Sequence, residues 1–200
     1  AATAETHMHD NAHTRLARAG RSAWSQFAVE LEQISSVDLG YRECGSLLVA
    51  QTQKRAKELQ ATVTALSARG ENVIWYSNDE VCRIEPLLCS TNNGALCAQG
   101  DSQVDNRQLS VALIRAFAIA GGTLREQCDV SSIDIDSGRI TGVTIEGDHV
   151  SADKVVIAAG AWSSTIKGLE DGILPPVVPA KGQMAALMPP AGVKMPTHLI

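Results

Sequence analysis

The chain alternates between two patterns of apolar positions. One pattern repeats every three or four residues and predicts amphipathic helices, which lie at residues 12–34, 54–68 and 105–120. The other consists of short apolar runs between turn residues and predicts strands, which lie at residues 45–50, 73–76, 95–98 and 123–128. Helices and strands that follow one another in this way are typical of a mixed α/β fold.

Local signals mark where some of these elements begin and end. Ser77 and Glu80 have the spacing of a capping box and predict the start of a further short helix. This helix is expected to end before Pro86, because a proline disfavours helical geometry in the residue before it. Asp105 and Gln108 have a similar spacing and predict the start of the helix over residues 105–120.

Residues 129–152 predict a small antiparallel sheet. Apolar and polar positions alternate over residues 129–136 and again over residues 140–146. Turn-forming residues separate the runs at 136–139 and at 147–148. Three short strands joined by tight turns form a meander, and the last strand leads directly into the next segment of the chain.

That next segment combines a β-branched run with small residues. Val155, Val156 and Ile157 follow one another without interruption, which predicts a strand buried on both faces. Only alanine and glycine occupy residues 158–161. Small residues at the end of a buried strand let a flat group approach the backbone. Because ligands of open α/β sheets collect at such strand ends, the segment predicts a cofactor site.

The order of these motifs resembles a known family. The meander, the sequence V-V-I-A-A-G-A-W-S and the proline-rich residues 175–183 together resemble the FAD-dependent amine oxidoreductases of the D-amino-acid oxidase and glycine oxidase type. Residues 37–50 resemble the first substrate-domain strands of that family. Residues 101–105, D-S-Q-V-D, resemble its D-G-Q-V-D element, with Ser102 in place of glycine. The resemblance extends from about residue 14 onward.

The resemblance implies an FAD-binding sheet domain interleaved with a substrate domain of mixed sheet and helices. Residues 1–35 and 105–170 would belong to the FAD-binding-type domain, and residues 36–104 and 175–200 to the substrate-type domain. The chain lacks the G-x-G-x-x-G loop with which the family holds the FAD pyrophosphate. It also lacks the later region that carries the substrate-clamping arginine, so we expect a truncated, central portion of such an enzyme. The resemblance implies FAD as the cofactor of the family, leaves open whether this portion binds it, and predicts that the portion alone is inactive.

The function implied is hydride transfer from the amine-bearing carbon of an amino acid or amine to flavin. Such chemistry mainly requires the protein to hold, orient and desolvate its substrate, and no catalytic side chain is predicted. The alternative hypothesis is a flavin-free, non-catalytic module that forms a homodimer through an exposed sheet edge. The sequence also fits a related flavoprotein branch, such as the glycerol-phosphate dehydrogenases. It does not decide whether the electron acceptor is oxygen or a quinone.

The resemblance also implies which residues face the cofactor. Val130 corresponds to a residue whose backbone contacts the adenine ring, and an extended backbone offers one donor and one acceptor for this contact. The alternative is an ordinary core valine. Ala159, Gly160 and Ala161 correspond to the stretch beside the FAD, where the absence of large side chains gives the cofactor room. The alternative for these three residues is a turn that simply requires glycine.

The first residues of the chain provide weaker candidates. Thr3 and Ala4 correspond to a segment beside the flavin ring, or else to a frayed terminus. His7, His9 and His13 form a dense imidazole cluster, and His9 and His13 would share one face of a helix, as metal ligands often do. No matching ligand pattern occurs elsewhere in the sequence. We therefore predict no metal, and favour a solvated helix start or residues that line the substrate pocket.

Composition excludes several other classes of protein. Hydrophobic residues make up 44% of the chain and charged residues 20%, which fits a globular protein. A net charge of −5 without a basic block argues against a nucleic-acid surface. No apolar run reaches the ~20 residues that a transmembrane helix needs. Five cysteines without a C-x-x-C motif predict reduced thiols in a cytoplasmic protein; these are Cys44, Cys82, Cys89, Cys97 and Cys128.

Overall fold

The computed structural model describes residues 11–89, 92–170, 172–183 and 188–200. The chain forms two compact units. The first unit comprises the residues up to Thr123 together with Pro189–Ile200, and the second comprises Leu124–Met188. Within the described residues, no helix combines the length and the apolar character needed to cross a bilayer.

Each unit has its own secondary structure. The first unit contains α1 (Ala12–Ser35), β1 (Ser46–Val49), α2 (Gln53–Ser67), β2 (Val73–Tyr76), α3 (Asn78–Ile84), a 3₁₀ turn (Pro86–Leu88), β3 (Ala95–Ala98) and α4 (Asn106–Ile119). The second unit contains β4 (Val130–Asp136), β5 (Arg139–Ile145), β6 (Asp148–Ser151) and a 3₁₀ helix (Gly160–Thr165). All helices and most strands that the sequence predicts are therefore present, with boundaries that differ by one or two residues.

The helix starts use the predicted caps. The Ser77 N–H donates to the Glu80 carboxylate at 2.7 Å, and the Glu80 N–H donates back to the Ser77 hydroxyl at 3.4 Å, which completes the capping box of α3. The Asp105 carboxylate accepts the N–H groups of Arg107 and Gln108 at the start of α4. These bonds satisfy backbone donors that the helix itself leaves without partners.

The core of the first unit is a three-stranded antiparallel sheet between two helical layers. The strand order is β1-β3-β2, and all four residues of the central strand β3 are buried. Leu96 and Ala98 share one buried cluster with residues of α2, whereas Ala95 and Cys97 share another with Val81 of α3. The alternation of side chains along one strand therefore supplies both faces of the core.

The D-S-Q-V-D element lies beside the segment that leads into β1. The Gly45 N–H donates to the Asp101 carbonyl at 2.9 Å, and the Ser46 hydroxyl donates to the buried Asp101 carboxylate at 2.5 Å. Arg42 and Gln103 exchange two backbone hydrogen bonds. The contacts of this element are thus structural ones within the first unit.

The second unit is the predicted meander, with strand order β4-β5-β6. Both hairpins have two-residue turns, at Ser137-Gly138 and at Glu146-Gly147, and all four turn residues have positive φ. This conformation matches the twist of the two flanking strands. The turn positions and the three strands expected from the sequence are confirmed.

Two predicted strands are absent. Residues 155–157 are extended but belong to no described strand, and the Val156 side chain is 88% exposed. A strand in the interior of a sheet pairs with a strand along each edge and has packed layers over both faces. No strand in the described parts of the chain pairs with residues 155–157. The predicted strand at residues 123–128 is also wrong, because Gln127 has a φ of +57°, which interrupts an extended backbone.

The cysteine prediction is wrong in one respect. Cys82 and Cys89 form a disulfide with their Cα atoms 4.5 Å apart, while Cys44, Cys97 and Cys128 are free thiols. The odd number of cysteines suggested reduced thiols. Cys82 and Cys89 are only seven residues apart, however, and this spacing is compatible with a bond between them. The pair forms because the loop after α3 turns back toward the helix.

Candidate functional site

The candidate site is an open groove within the second unit, with a volume of about 900 Å³. One wall is formed by the apolar face of the meander, which includes Val130, Ile133 and Val143. The extended segment of residues 155–159 and the following Trp162 also line the groove. The volume lies within the range of small-molecule and cofactor sites.

The groove is closed at one end by a parallel bridge between Lys167 and β4. The Ile133 N–H donates to the Lys167 carbonyl at 2.9 Å, and the Lys167 N–H donates to the Ser131 carbonyl at 3.1 Å. Gly168 follows with a φ of +91°, and a Cβ at this position would overlap the Ile133 carbonyl oxygen. Glycine is required here because only hydrogen atoms fit against the β4 backbone.

Val130 stands where β4 begins and lines the groove. It pairs with Ile145 of β5, and its side chain is 39% exposed. An irregularity in the register separates it from the next paired residue, Ser132. Val130 thus borders an open space and is not enclosed by the sheet.

The three small residues that the sequence predicts as a site lie at the end of the extended segment and directly after it. Ala159 lines the groove. Gly160 begins the 3₁₀ helix with a φ of +55°, and no described atom lies within 4 Å of the place where its Cβ would be. Ala161 is half-buried in the same helix and does not line the groove. The structure therefore brings Val130 and Ala159 together as lining residues of one groove.

The remaining sequence candidates do not belong to this groove. Thr3, Ala4, His7 and His9 lie outside the described residues. His13 is exposed on α1. No group of three or more histidine, cysteine or acidic side chains that could hold a metal occurs in the described ranges.

The polar groups at the groove are few. They are the charged groups of Asp129 and Lys167, the hydroxyls of Ser131 and Thr165, and the half-buried free thiol of Cys128. Apolar side chains supply most of the named walls, and a flat aromatic group can be enclosed by them while its edge meets backbone donors and acceptors. The open space beside Gly160 fits the approach of such a group, because no side chain among the residues that the structure describes fills it.

The sequence did not indicate the polar cluster on the other face of the meander. The Asp134 carboxylate accepts hydrogen bonds from His149 Nδ1 at 2.7 Å and from the Thr144 hydroxyl at 2.8 Å. The hydrogen bond from His149, followed by that from Thr144, lowers the pKa of Asp134. The strand register could have indicated this cluster, because Thr144 pairs with His149 and lies diagonally across from Asp134.

A second cluster that the sequence did not indicate lies in the first unit. The Glu71 carboxylate is 8% exposed and accepts hydrogen bonds from Arg18 at 2.5 Å and from Arg21 at 3.0 Å. Burial alone would raise the pKa of Glu71, but the hydrogen bonds from Arg21 and Arg18 outweigh it and lower this pKa. The cluster ties α1 to the loop before β2.

Comparisons with known proteins agree with this architecture. The mixed α/β fold is that of solved glycine oxidases: the structure of glycine oxidase from Bacillus cereus ATCC 14579 has a TM-score of 0.74 and 31% sequence identity, over 78% of this chain and 43% of that one. A family model described as FAD dependent oxidoreductase (DAO) matches residues 2–199. The chain therefore belongs to the DAO family of FAD dependent oxidoreductases, and the resemblance seen in the sequence is confirmed.

Curated relatives extend this result. Glycine oxidase of Geobacillus kaustophilus (strain HTA426) is 34% identical over 177 residues, which are 88% of this chain and 46% of the relative. The 4-methylaminobutanoate oxidase (formaldehyde-forming) of Paenarthrobacter nicotinovorans is 29% identical over 151 residues, which are 75% of this chain and 18% of the relative. The chain thus spans less than half the length of these two relatives.

Proposed function

We propose that this chain is part of an FAD-dependent oxidoreductase that oxidises an amino acid or a small amine. Its family membership and its similarity to glycine oxidases support this proposal. The chemistry that bound FAD supplies is the acceptance of a hydride from the amine-bearing carbon of the substrate. The described residues contribute binding and the exclusion of water.

The observation that carries the proposal is the groove that Val130 and Ala159 line. In this proposal the groove holds the adenine end of FAD. The backbone of Val130 meets the edge of the ring, and the small residues Ala159, Gly160 and Ala161 leave space for the cofactor beside them. Apolar walls favour a flat ring because they remove its faces from water.

The domain assignment follows the same proposal. Residues 1–35 and 105–170 serve the FAD-binding-type domain, with Thr3 and Ala4 beside the flavin ring. Residues 36–104 and 175–200 serve the substrate-type domain. Leu31 of α1 and Ala112 of α4 share one buried cluster, which supports placing these two helices together, and Val37 and Leu39 belong to the same cluster.

We also infer a cytoplasmic location. The three free thiols of Cys44, Cys97 and Cys128 support it, because thiols persist in reducing compartments. The disulfide between Cys82 and Cys89 is compatible with that location where it is formed and reduced reversibly, as intracellular disulfides commonly are.

Flavin retention is the first test. The purified protein is incubated with excess FAD and desalted, and its visible absorbance is recorded. We expect retained flavin absorbance, because Val130 and Ala159 line a groove of cofactor size. We expect no bleaching when glycine, sarcosine or a D-amino acid is added without oxygen, because the sequence contains no G-x-G-x-x-G loop to hold the whole cofactor. A protein that retains no flavin, and forms a dimer in solution, would overturn the proposal in favour of a non-catalytic module.

A pair of variants tests the groove itself. Ala159→Phe fills part of the groove that Val130 also lines, and we expect it to weaken FAD binding about tenfold or more, as a difference of about 1.4 kcal/mol would. Ser164→Phe is the matched control, because Ser164 is exposed in the 3₁₀ helix that follows Ala159 and does not line the groove. Equal FAD affinities of the two variants would place the adenine elsewhere.

A further inference from the structure

A disulfide closes the short loop that carries a buried acidic residue of the first unit. Cys82 lies in α3 and Cys89 follows the 3₁₀ turn, with Glu85 between them in sequence. Glu85 is 3% exposed. The Cys89 residue is exposed and Cys82 is half-buried, so a reductant in solution can reach this bond.

The Glu85 carboxylate holds a segment that is distant in sequence. One of its oxygens accepts the Thr197 N–H at 2.7 Å and the Thr197 hydroxyl at 2.5 Å. The same oxygen accepts the His198 N–H at 2.9 Å, and it lies 2.7 Å from His198 Nδ1, which must carry a proton to donate to it. Four donors from two consecutive residues therefore converge on one carboxylate oxygen.

The segment so held extends the sheet of the first unit. The Leu47 N–H donates to the Leu199 carbonyl at 2.7 Å, and the Leu199 N–H donates to the Gly45 carbonyl at 3.1 Å. These bonds place Leu199 in a parallel bridge with Ser46 of β1. Residues 197–199, which we name the docked segment, thus add a short edge to the sheet.

We propose that the Cys82–Cys89 disulfide is a redox-controlled lock on the docked segment. With the bond formed, the loop holds Glu85 in place and the segment stays on β1. With the bond reduced, the loop after α3 loses its covalent closure and is held by non-covalent contacts, which include the Glu85 N–H to the Val81 carbonyl at 2.8 Å, the Leu88 N–H to the Glu85 carbonyl at 3.0 Å and the Asn92 side chain to the Leu88 carbonyl at 2.6 Å. The loop that carries Glu85 then samples more conformations, and the docked segment detaches from β1 more often. This lock does not depend on flavin binding.

The reaction requires a dithiol reductant. One thiolate of the reductant attacks the exposed Cys89 sulfur, the bond between the two protein sulfurs breaks, and Cys82 leaves as a thiolate that takes up a proton. The second thiolate of the reductant then attacks the reductant's first sulfur, which is bonded to Cys89 in the mixed disulfide. This step forms the disulfide of the reductant and releases Cys89, which is also protonated. Two electrons and two protons have then passed from the dithiol to the cysteine pair.

Amide hydrogen exchange tests the lock. The protein is compared as isolated and after reduction with dithiothreitol, with the gain of two hydrogens checked by mass. We expect the amides of Leu47 and Leu199 to exchange about tenfold faster after reduction, because both depend on the docked segment. The amides of β2 report the stability of the whole sheet, and we expect them to change by less than about twofold.

Variants separate the lock from other effects of reduction. The double substitution Cys82→Ser and Cys89→Ser should give the fast exchange with or without the reductant. Cys44→Ser is the matched control, since Cys44 is a free thiol next to Gly45, and it should keep the redox response. Glu85→Gln should give fast exchange of Leu199 in both redox states while the amides of β2 stay protected.

Two results would overturn the proposal. Complete reduction that leaves the exchange of Leu47 and Leu199 unchanged would show that the disulfide does not control the segment. Equal acceleration of these amides and of the β2 amides would show that the disulfide only stabilises the first unit as a whole.

Discussion

Glu85 and His198 are 113 residues apart in sequence and are joined by two hydrogen bonds, from the His198 backbone and from its ring. Burial alone would raise the pKa of Glu85, but the hydrogen bonds from Thr197 and His198 outweigh it and lower this pKa to about 2. The carboxylate is therefore ionised in the folded protein throughout the neutral and mildly acidic range.

This depressed pKa predicts how the docked segment responds to acid. A group whose folded pKa lies below its unfolded value stabilises the fold above that unfolded value, which is 4.5 for Glu85. We expect the protection of the Leu199 amide to be constant above about pH 4.5 and to fall as the pH drops toward 2. Exchange measured over this range, after correction for its intrinsic pH dependence, checks the prediction. Glu85→Gln should remove the pH dependence, and an unchanged profile in that variant would contradict it.

The Glu71 cluster predicts a loss of stability when its carboxylate is removed. Glu71→Gln leaves two guanidinium groups around a buried neutral amide. Because Arg18 and Arg21 stay about 30% exposed to water, we expect a loss of about 2 kcal/mol in the free energy of unfolding, below the usual cost for a fully buried pair. Urea unfolding measures this change.

The exposed pair of Arg55 and Glu58 is the control for that experiment. Its two charged groups lie 3.3 Å apart, and both side chains are more than 40% exposed. Glu58→Gln should change the unfolding free energy by less than about 0.5 kcal/mol. If Glu71→Gln costs no more than Glu58→Gln, the Glu71 cluster does not stabilise the first unit.

Gly168 predicts a strong effect of a single methyl group. Gly168→Ala introduces a Cβ against the Ile133 carbonyl at a residue with positive φ. We expect a loss of at least about 2 kcal/mol in stability, because the bridge between Lys167 and β4 must shift to relieve the overlap. Thermal unfolding checks this expectation. Gly182→Ala, at a position with open space around the Cβ, should be nearly neutral.

The cysteines predict an order of chemical reactivity. Burial raises the pKa of the Cys97 thiol to about 11, with a further contribution from the nearby charge of Asp101. We expect iodoacetamide at about pH 8 to modify Cys44 and Cys128 while Cys97 stays unmodified, because the thiolate is the reactive form. Mass spectrometry of digested protein identifies the modified sites. Modification of Cys97 as fast as Cys44 would contradict its burial in the sheet.

Local sequence patterns predicted most of the secondary structure. The capping box at Ser77 and Glu80 and the turn at Ser137 and Gly138 involve neighbouring residues, so their physical basis is contained in a few positions. The same is true of the alternation along β4. Patterns of this kind remain valid in any surroundings that bury the apolar side of the element.

The predictions that were wrong concern elements whose state depends on distant residues. The run at Val155, Val156 and Ile157 has the composition of a buried strand, but pairing along its edges is needed for one, and here the run forms a groove wall. The disulfide between Cys82 and Cys89 depends on the path of the loop after α3. Neither outcome can be obtained from composition or local spacing.

The sequence by itself determined the family, the class of fold and the small residues at positions 159–161, because these depend on local patterns and on the order of motifs along the chain. Only the tertiary structure decided that Val130 and Ala159 line one groove and that Glu85 binds Thr197 and His198. The physical reason is that hydrogen bonds and packing act over a few ångströms. Residues far apart in sequence interact only after folding has brought them within that distance.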